Sequence, residues 1–257
     1  MILFACDLDN TLIHSKPKDG DIPVEYSNEK VITYIPGRTL EIIANLNNRV
    51  MLIPATSRSL EQYRRIKIFH ERTPAYAIVS GGGIILRDGE IDGEWDLYRK
   101  NIIDSAWNEF ERLFHLLQND ARVERTKIID DSFIFAKSAS APSVINDLKR
   151  NAVSFNILRH KKKIYVLPQG IDKGVALDEV RRRLRADCVI AAGDSDIDIP
   201  LLNRADYALT PSQELALKIN APHILVKPET VDFSVFVMEF AASLAELKKK
   251  GDALHRP

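Results

Sequence analysis

Two aspartates near the start of the chain, Asp7 and Asp9, could do chemistry together. They follow a short apolar run, Ile2 to Cys6, that predicts a buried strand. Side chains at the end of a strand can project into a crevice instead of a core. Carboxylates this close repel one another, so a nearby cation would let both stay ionised. One aspartate could then attack an electrophile while the other moves a proton. The alternative is an ordinary acidic turn.

A second polar cluster follows another apolar run. Val50 to Ala55 predicts a buried strand that ends at Thr56-Ser57-Arg58, just before the start of a helix. Hydroxyl groups and free backbone amides converge at such a junction and can bind an anion. The competing interpretation is an ordinary helix cap followed by a surface arginine.

Lys173 and a third polar cluster complete the set. Lys173 falls in the first turn of a predicted helix, where its charge opposes the helix dipole, so it either has some other use or is exposed without a role. Cys188 to Ala192 predicts a further buried strand, which Asp194, Asp196 and Asp198 follow. The carboxyl ends of parallel strands share one edge of a sheet, so these clusters are expected to meet. Carboxylates, a hydroxyl and a lysine around a hard cation suit phosphoryl transfer.

The order of predicted elements indicates two domains. Strands and helices alternate up to about residue 86 and again from Pro168, which predicts an α/β domain with a parallel sheet. Between them the order is helix, strand, strand, helix, strand, strand, with the first helix at roughly 102–117. This order predicts an inserted α+β domain. We therefore assign residues 1–86 and 168–257 to the core and 87–167 to the insert.

Composition limits the partners and the compartment. The 257 residues contain 36 Lys plus Arg and 36 Asp plus Glu, so no net field attracts nucleic acid or an anionic membrane, and we expect neither as a partner. The two cysteines, Cys6 and Cys188, lie in apolar runs, which fits a reducing compartment. No apolar run matches a signal peptide or a membrane span. We expect a cytoplasmic protein.

Several turns carry residues of interest. Two hairpins are predicted, one around Ser27 to Lys30 and one around Asp88-Gly89. The run Ser80 to Gly83 contains three glycines, which either let backbone approach a ligand or serve a tight turn. In the insert, a basic turn could grip an anionic substrate or be a solvated hairpin tip. The candidate substrate contacts are Arg58, Gly81, Gly82, Arg159, Lys161 and Lys163.

These stretches together resemble the haloacid dehalogenase (HAD) superfamily. Asp7 to Leu12 resembles its first motif, and Thr56, Lys173 and Gly193-Asp194 with Asp198 resemble its second, third and fourth motifs in the same order. The insert resembles a type-C2 cap, and its element order resembles the C2B subtype. The resemblance implies a Rossmann-like core with a parallel sheet and an inserted α+β cap domain.

The resemblance also implies an activity. Asp7 would attack phosphorus to form an aspartyl-phosphate, and Asp9 would protonate the leaving alkoxide and then activate water. Ser80 to Ile84 is similar to the glycine loop of the sugar-phosphate phosphatase branch, so the expected substrate is a small phosphorylated metabolite of sugar type. The implied magnesium ligands are Asp7, the Asp9 backbone carbonyl, Asp194 and, directly or indirectly, Asp198. The implied phosphate-binding residues are Thr56, Ser57 and Lys173.

Two positions depart from the family pattern, and two other functions stay open. Asn10 stands where the family often has glycine, although asparagine tolerates unusual φ angles. Ile197 stands where C2-capped relatives often have asparagine, and isoleucine cannot ligate a metal.

A phosphomutase of the phosphomannomutase type would share this core and cap. A non-catalytic regulatory protein with the HAD fold is the other alternative. The oligomeric state is not predicted.

Overall fold

The computed structural model describes residues 1–46 and 49–254. The strands are β1 (Ile2–Cys6), β2 (Asp21–Ser27), β3 (Lys30–Pro36), β4 (Val50–Pro54), β5 (Tyr76–Val79), β6 (Ile84–Arg87), β7 (Glu90–Ile91), β8 (Val123–Ile129), β9 (Phe133–Ser138), β10 (Phe155–His160), β11 (Lys163–Pro168), β12 (Cys188–Ala192), β13 (Tyr207–Thr210) and β14 (His223–Val226). The helices are α1 (Gly37–Asn45), α2 (Leu60–Arg64), α3 (Lys67–Glu71), α4 (Gly93–Ser105), α5 (Trp107–Gln118), α6 (Ala141–Lys149), α7 (Lys173–Leu184), α8 (Ile199–Leu202), α9 (Gln213–Ala216) and α10 (Phe233–Leu254). Two 3₁₀ turns lie at Ser80–Gly82 and Asp196–Asp198.

The central sheet is parallel, with strand order β14-β13-β12-β1-β4. β5 extends it through a bridge between Ala55 and Ile78. Cys6 at the end of β1 is level with Ala192 on one side and Pro54 on the other. The residues that follow these three strands therefore meet at one edge of the sheet. The predicted α/β fold with a parallel sheet is confirmed.

Helices cover both faces of this sheet, which explains why its strands are apolar without alternation. Along β1, Phe4 and Cys6 enter a cluster with residues of α1 and α10, and Leu3 and Ala5 enter a second cluster with residues of α7. All five β1 side chains are buried. The strand that carries Asp7 is thus held rigidly from both sides.

The insert contains a second sheet, antiparallel, with strand order β10-β11-β9-β8. Helices α5 and α6 cover one face of it and supply residues such as Phe110, Leu113 and Val144 to a separate apolar cluster. The domain boundaries at 86/87 and 167/168 stay a prediction.

The predicted helix at 102–117 is wrong in its bounds. The structure has two helices, α4 and α5, because Ala106 leaves helical geometry with φ −115°. Trp95 near the start of α4 is buried in the central-sheet cluster that contains Leu3, whereas Ile103 near its end is buried in the apolar cluster of the insert. One helix thus serves two hydrophobic clusters, which removes the single apolar stripe on which periodicity depends.

Both predicted hairpins are confirmed. β2 and β3 pair across Asn28 and Glu29, which have φ of 48° and 64°, and β6 and β7 pair across Asp88 and Gly89, with φ of 50° and 87°. Asparagine, aspartate and glycine favour these left-handed conformations. The sequence also predicts a first core helix from about Arg38 to Asn47; α1 begins at Gly37, and Asn47 lies outside the described residues.

Within the described parts of the chain, no helix is both long enough and apolar enough to cross a membrane.

Candidate active site

Lys173 joins the ends of β1 and β12. Its ammonium group donates to Asp7 Oδ1 at 2.7 Å and to Asp198 Oδ1 at 2.6 Å, and its side chain is fully buried. Burial alone would lower the pKa of Lys173, but the Asp198 and Asp7 carboxylates outweigh that effect and raise it. The lysine is therefore a permanent cation inside the site. Its position at the first turn of α7 is explained because its partners are anionic.

Asp198 orders the loop after β12. Its Oδ2 accepts hydrogen bonds from the backbone amides of Asp194 and Ser195 at 3.2 and 3.1 Å and from the Ser195 hydroxyl at 3.0 Å. Gly193 is required here, because a Cβ on it would lie 2.4 Å from Asp198 Cβ. Both oxygens of Asp198 are thus occupied by groups of the chain, and they fix Lys173 and the Asp194 backbone together.

Asp9 is bound by an arginine from the neighbouring strand end. Arg58 Nε and one terminal nitrogen each lie 2.8 Å from an oxygen of Asp9, and the other terminal nitrogen lies 2.7 Å from Glu25 Oε2. Burial would raise the pKa of Asp9, but the Arg58 hydrogen bonds outweigh it and hold that pKa below its usual range. Glu25 itself is buried and also binds Arg65 and Thr33.

Arg58 was predicted as a substrate contact. In this structure its guanidinium hydrogen-bonds Asp9 and Glu25 instead. The sequence analysis missed Glu25. It is a single acid in a β-rich run, which by itself signals only a strand position on the solvent side.

Thr56 and Ser57 lie where the anion site was expected, between β4 and α2. Thr56 is buried, and its hydroxyl accepts from the Arg58 backbone amide at 3.1 Å. Ser59 caps α2 through a capping box with Gln62, which the spacing of these two residues in the sequence also indicates. Thr56 and Asp7 follow neighbouring strands of the sheet.

The glycine run forms a tight turn against the start of α7. Gly82 has φ of 103°, and a Cβ on it would lie 2.2 Å from the Asp172 carbonyl carbon. A Cβ on Gly83 would lie 2.2 Å from the Ser132 hydroxyl in the insert. The turn therefore lets backbone approach the residue before Lys173. A direct contact of Gly81 and Gly82 with substrate stays a prediction.

Asn10 fits the position where the family often has glycine. Its φ is 58°, and its backbone amide donates to Ile13 at 2.7 Å, which closes the turn after β1. Asparagine adopts this left-handed conformation more readily than most residues. Its side chain also lies close to Asp194. The substitution therefore preserves the turn and adds a contact between the first and fourth motifs.

Three carboxylates of the site can share one cation. Oxygens of Asp7, Asp194 and Asp198 all lie within 4.8 Å of one another. Burial and the neighbouring Asp198 raise the pKa of Asp7, with Lys173 opposing them, and the same two causes raise the pKa of Asp194 to about 6. Lys173 is one positive charge among these three acids. The donor set, made of hard oxygens with excess negative charge, fits a hard divalent cation such as Mg²⁺.

The basic turn of the insert lies between β10 and β11. Arg159, Lys161 and Lys163 are exposed, and the charge of Lys163 helps to lower the pKa of Asp9. Burial and the charges of Lys161 and Lys163 lower the pKa of His160, and the charges of Asp198 and Asp196 oppose them. The end of β10 therefore lies near the acidic loop, residues 194–198. Substrate contacts by the basic turn stay a prediction.

The second departure, Ile197, is buried under the insert. It is 5% exposed and belongs to a cluster with Phe133, Tyr165 and Leu167 of the antiparallel sheet. Here the family pattern's polar side chain is replaced by an apolar contact between core and insert. Asp130, in the turn after β8, also joins the two, because it accepts from the Leu60 amide at 2.7 Å and the Ser80 hydroxyl at 2.5 Å.

Comparison with known families decides the class of the protein. The family model described as sucrose-6F-phosphate phosphohydrolase matches residues 1–210, which contain every strand end of the site. The chain belongs to this family. The family is part of the HAD superfamily, so the resemblance is confirmed, and the protein is an enzyme, a HAD-type phosphatase of the sugar-phosphate class. The alternative of a non-catalytic protein is therefore wrong.

Solved structures show the same fold at low identity. A sucrose-phosphatase from Synechocystis sp. PCC6803, in complex with sucrose and phosphate, is 17% identical with a TM-score of 0.70, over 95% of this chain and 98% of that one. A trehalose-6-phosphate phosphatase from Aspergillus fumigatus is 13% identical with a TM-score of 0.53, over 94% and 92%. A haloacid dehalogenase-like hydrolase from B. subtilis is 15% identical with a TM-score of 0.59, over 92% and 99%. No curated protein sequence matches significantly.

Proposed function

We propose that this sucrose-6F-phosphate phosphohydrolase family member is a Mg²⁺-dependent phosphatase that hydrolyses a phosphorylated sugar, of the sucrose-phosphate or trehalose-phosphate type, through an aspartyl-phosphate. The observation that carries the proposal is the buried Asp7 at the end of β1, held by Lys173 at 2.7 Å. The family match supports the substrate class, as does the likeness to a sucrose-phosphatase bound to sucrose and phosphate.

Asp7 is the proposed nucleophile. One of its oxygens attacks phosphorus in line with the sugar oxygen, so an Asp7 oxygen–phosphorus bond forms as the phosphorus–sugar oxygen bond breaks. Lys173 and Thr11 both hydrogen-bond the Asp7 carboxylate and restrict its rotation. The acyl phosphate is then attacked by water, which restores the carboxylate and releases phosphate.

Asp9 is the proposed acid and base. It donates a proton to the leaving sugar oxygen in the first step and accepts one from the attacking water in the second. Its pairing with Arg58 favours the ionised form, which is the form that activates water. In the acid step Asp9 must be protonated, and it then hydrogen-bonds the sugar oxygen in place of Arg58.

The remaining residues of the site bind the phosphate and would hold the metal ion. Thr56, Ser57 and Lys173 bind phosphoryl oxygens, whose negative charge must be balanced in the transition state. Asp7, Asp194 and the Asp9 carbonyl would hold Mg²⁺, and Asp198 would act indirectly because its oxygens are occupied. When bound, Mg²⁺ supplies positive charge that offsets repulsion between Asp7 and the phosphate.

The test is an assay of phosphate release from a panel of substrates. The panel contains sucrose 6-phosphate, trehalose 6-phosphate, hexose monophosphates, polyol phosphates and nucleotide monophosphates, each with Mg²⁺ and with EDTA. We expect release from a sugar phosphate, loss of release with EDTA and recovery when Mg²⁺ is added back. Isomerisation of a hexose phosphate without release would replace the proposal with a phosphomutase. Undiminished release in EDTA would refute the metal dependence.

A further inference from the structure

Tyr165 is a residue of the insert that lies against the edge of the candidate site. It lies in β11, is 5% exposed, and its hydroxyl lies close to the Ser57 side chain. Burial raises the pKa of Tyr165, and the charges of Lys173, Asp198 and Asp7 also act on it. The phenol therefore lies in the electrostatic environment of the nucleophile, although it belongs to another sheet.

The ring of Tyr165 is held from several sides. It contacts Phe133 and Phe135 on the neighbouring strand, with ring centroids 6.1 and 5.8 Å apart, and it shares an apolar cluster with Ile197 of the acidic loop. Along β11, Ile164 and Val166 point into the core of the insert, so Tyr165 and Leu167 face the opposite way. The ring is therefore held between aromatic side chains of the insert and the loop after β12.

We propose that Tyr165 binds the transferred phosphoryl group, with its hydroxyl donating to a phosphoryl oxygen beside Ser57. This rests on the proposed function, because it takes Ser57 as part of the phosphate site. A phenol is a strong donor, and a phosphoryl oxygen is a better acceptor than a serine hydroxyl. The insert would thus help to bind the phosphoryl group, which all substrates share, in addition to any contact with the sugar.

The test compares Tyr165→Phe with wild type in the presence of Mg²⁺. Binding of inorganic phosphate is measured by calorimetry, and kcat/KM is measured for the best sugar phosphate and for p-nitrophenyl phosphate. Loss of one hydrogen bond to a charged group predicts phosphate binding about 10-fold weaker and kcat/KM about 10-fold lower for both substrates. Equal loss on both is expected because the phosphoryl group is the part that they share.

Tyr63→Phe is the matched control. Tyr63 is also 5% exposed, but its hydroxyl has no hydrogen-bond partner among the described residues and lies in the core cluster. We expect its phosphate affinity and kcat/KM to equal those of wild type. Unchanged phosphate affinity in Tyr165→Phe, or a loss confined to the sugar phosphate, would overturn the proposal. Phosphate binding does not require turnover, so a wild-type protein that binds phosphate but hydrolyses nothing refutes only the proposed function.

Discussion

Arg58 binds both carboxylate oxygens of Asp9, each at 2.8 Å, although 49 positions separate the two residues. This two-pronged pairing sets the orientation of the carboxylate as well as its charge. The carboxylate of the proposed acid and base is therefore oriented by the same strand end that carries Thr56.

Replacing Arg58 with Gln should lower kcat by about 10-fold, because Asp9 loses the partner that orients it. The measurement is steady-state phosphate release at saturating substrate. Arg65→Gln is the control, since Arg65 binds Glu25 at 3.2 Å through Nε. This control should destabilise the fold to a similar degree and leave kcat near wild type. Equal loss of kcat in both variants would show that Arg58 acts through Glu25 and not through Asp9.

Replacing Asp7 with Asn should abolish phosphate release while the fold is kept. Lys173 retains Asp198 as a partner, and the variant removes one of three carboxylates that repel each other. We therefore expect a free energy of unfolding within about 1 kcal/mol of wild type, measured by urea denaturation. Turnover at the wild-type rate in this variant would exclude Asp7 as the nucleophile.

Replacing Lys173 with Met should cost about 3–5 kcal/mol of stability, since it leaves Asp7 and Asp198 buried without their cation. Adding Asp198→Asn should recover part of this loss, and activity should stay absent in both variants. Urea denaturation of the single and double variants measures the coupling. If the double variant is no more stable than Lys173→Met alone, charge is not the reason for the loss.

Replacing Ile197 with Asn, the residue that C2-capped relatives often have, should destabilise this chain. The amide would be buried against Phe133 and Leu167, and an unpaired buried polar group costs about 1–3 kcal/mol. Ile197→Val, which keeps the apolar contact, should cost about 0.5–1.5 kcal/mol. The measurement is thermal unfolding. An asparagine variant as stable as wild type would mean that the insert does not depend on this contact.

The Asp92–Arg183 pair predicts a pH dependence of stability. Burial would raise the pKa of Asp92, but the hydrogen bonds from Arg183 and from the Trp95 amide outweigh it and lower that pKa. The folded-state pKa is thus below the unfolded value of about 3.9, so the contribution is complete above about pH 4 and is lost as pH falls through the folded pKa.

Asp92→Asn should therefore be less stable than wild type at pH 7, by about 1–3 kcal/mol, and the difference should shrink as the pH falls below about 4. Urea denaturation at a series of pH values measures it. Asp187→Asn is the control, because Asp187 pairs with the N-terminus at an exposed site, where ion pairs contribute little. A difference that stays constant down to low pH would contradict the linkage.

The sequence alone determined the central sheet and the residues at its edge. The strands Ile2–Cys6 and Cys188–Ala192 have the bounds that their apolar runs predict, because strands buried on both faces are apolar throughout. Parallel strands bring their carboxyl ends together, so Asp7, Thr56 and Asp194 could be assigned to one edge without coordinates. The hairpin turns were also predictable, because positive φ angles restrict which residues can occupy them.

Only the tertiary structure decided which side chains contact each other across long stretches of chain. Arg58 pairs with Asp9 and Glu25, Tyr165 lies close to Ser57, and Ile197 lies under the insert. These contacts depend on how two sheets are placed relative to each other, and a local period reports only which face of its own element a residue occupies. The helix break at Ala106 escaped the pattern for the same reason, since α4, which precedes it, buries Trp95 and Ile103 in different clusters.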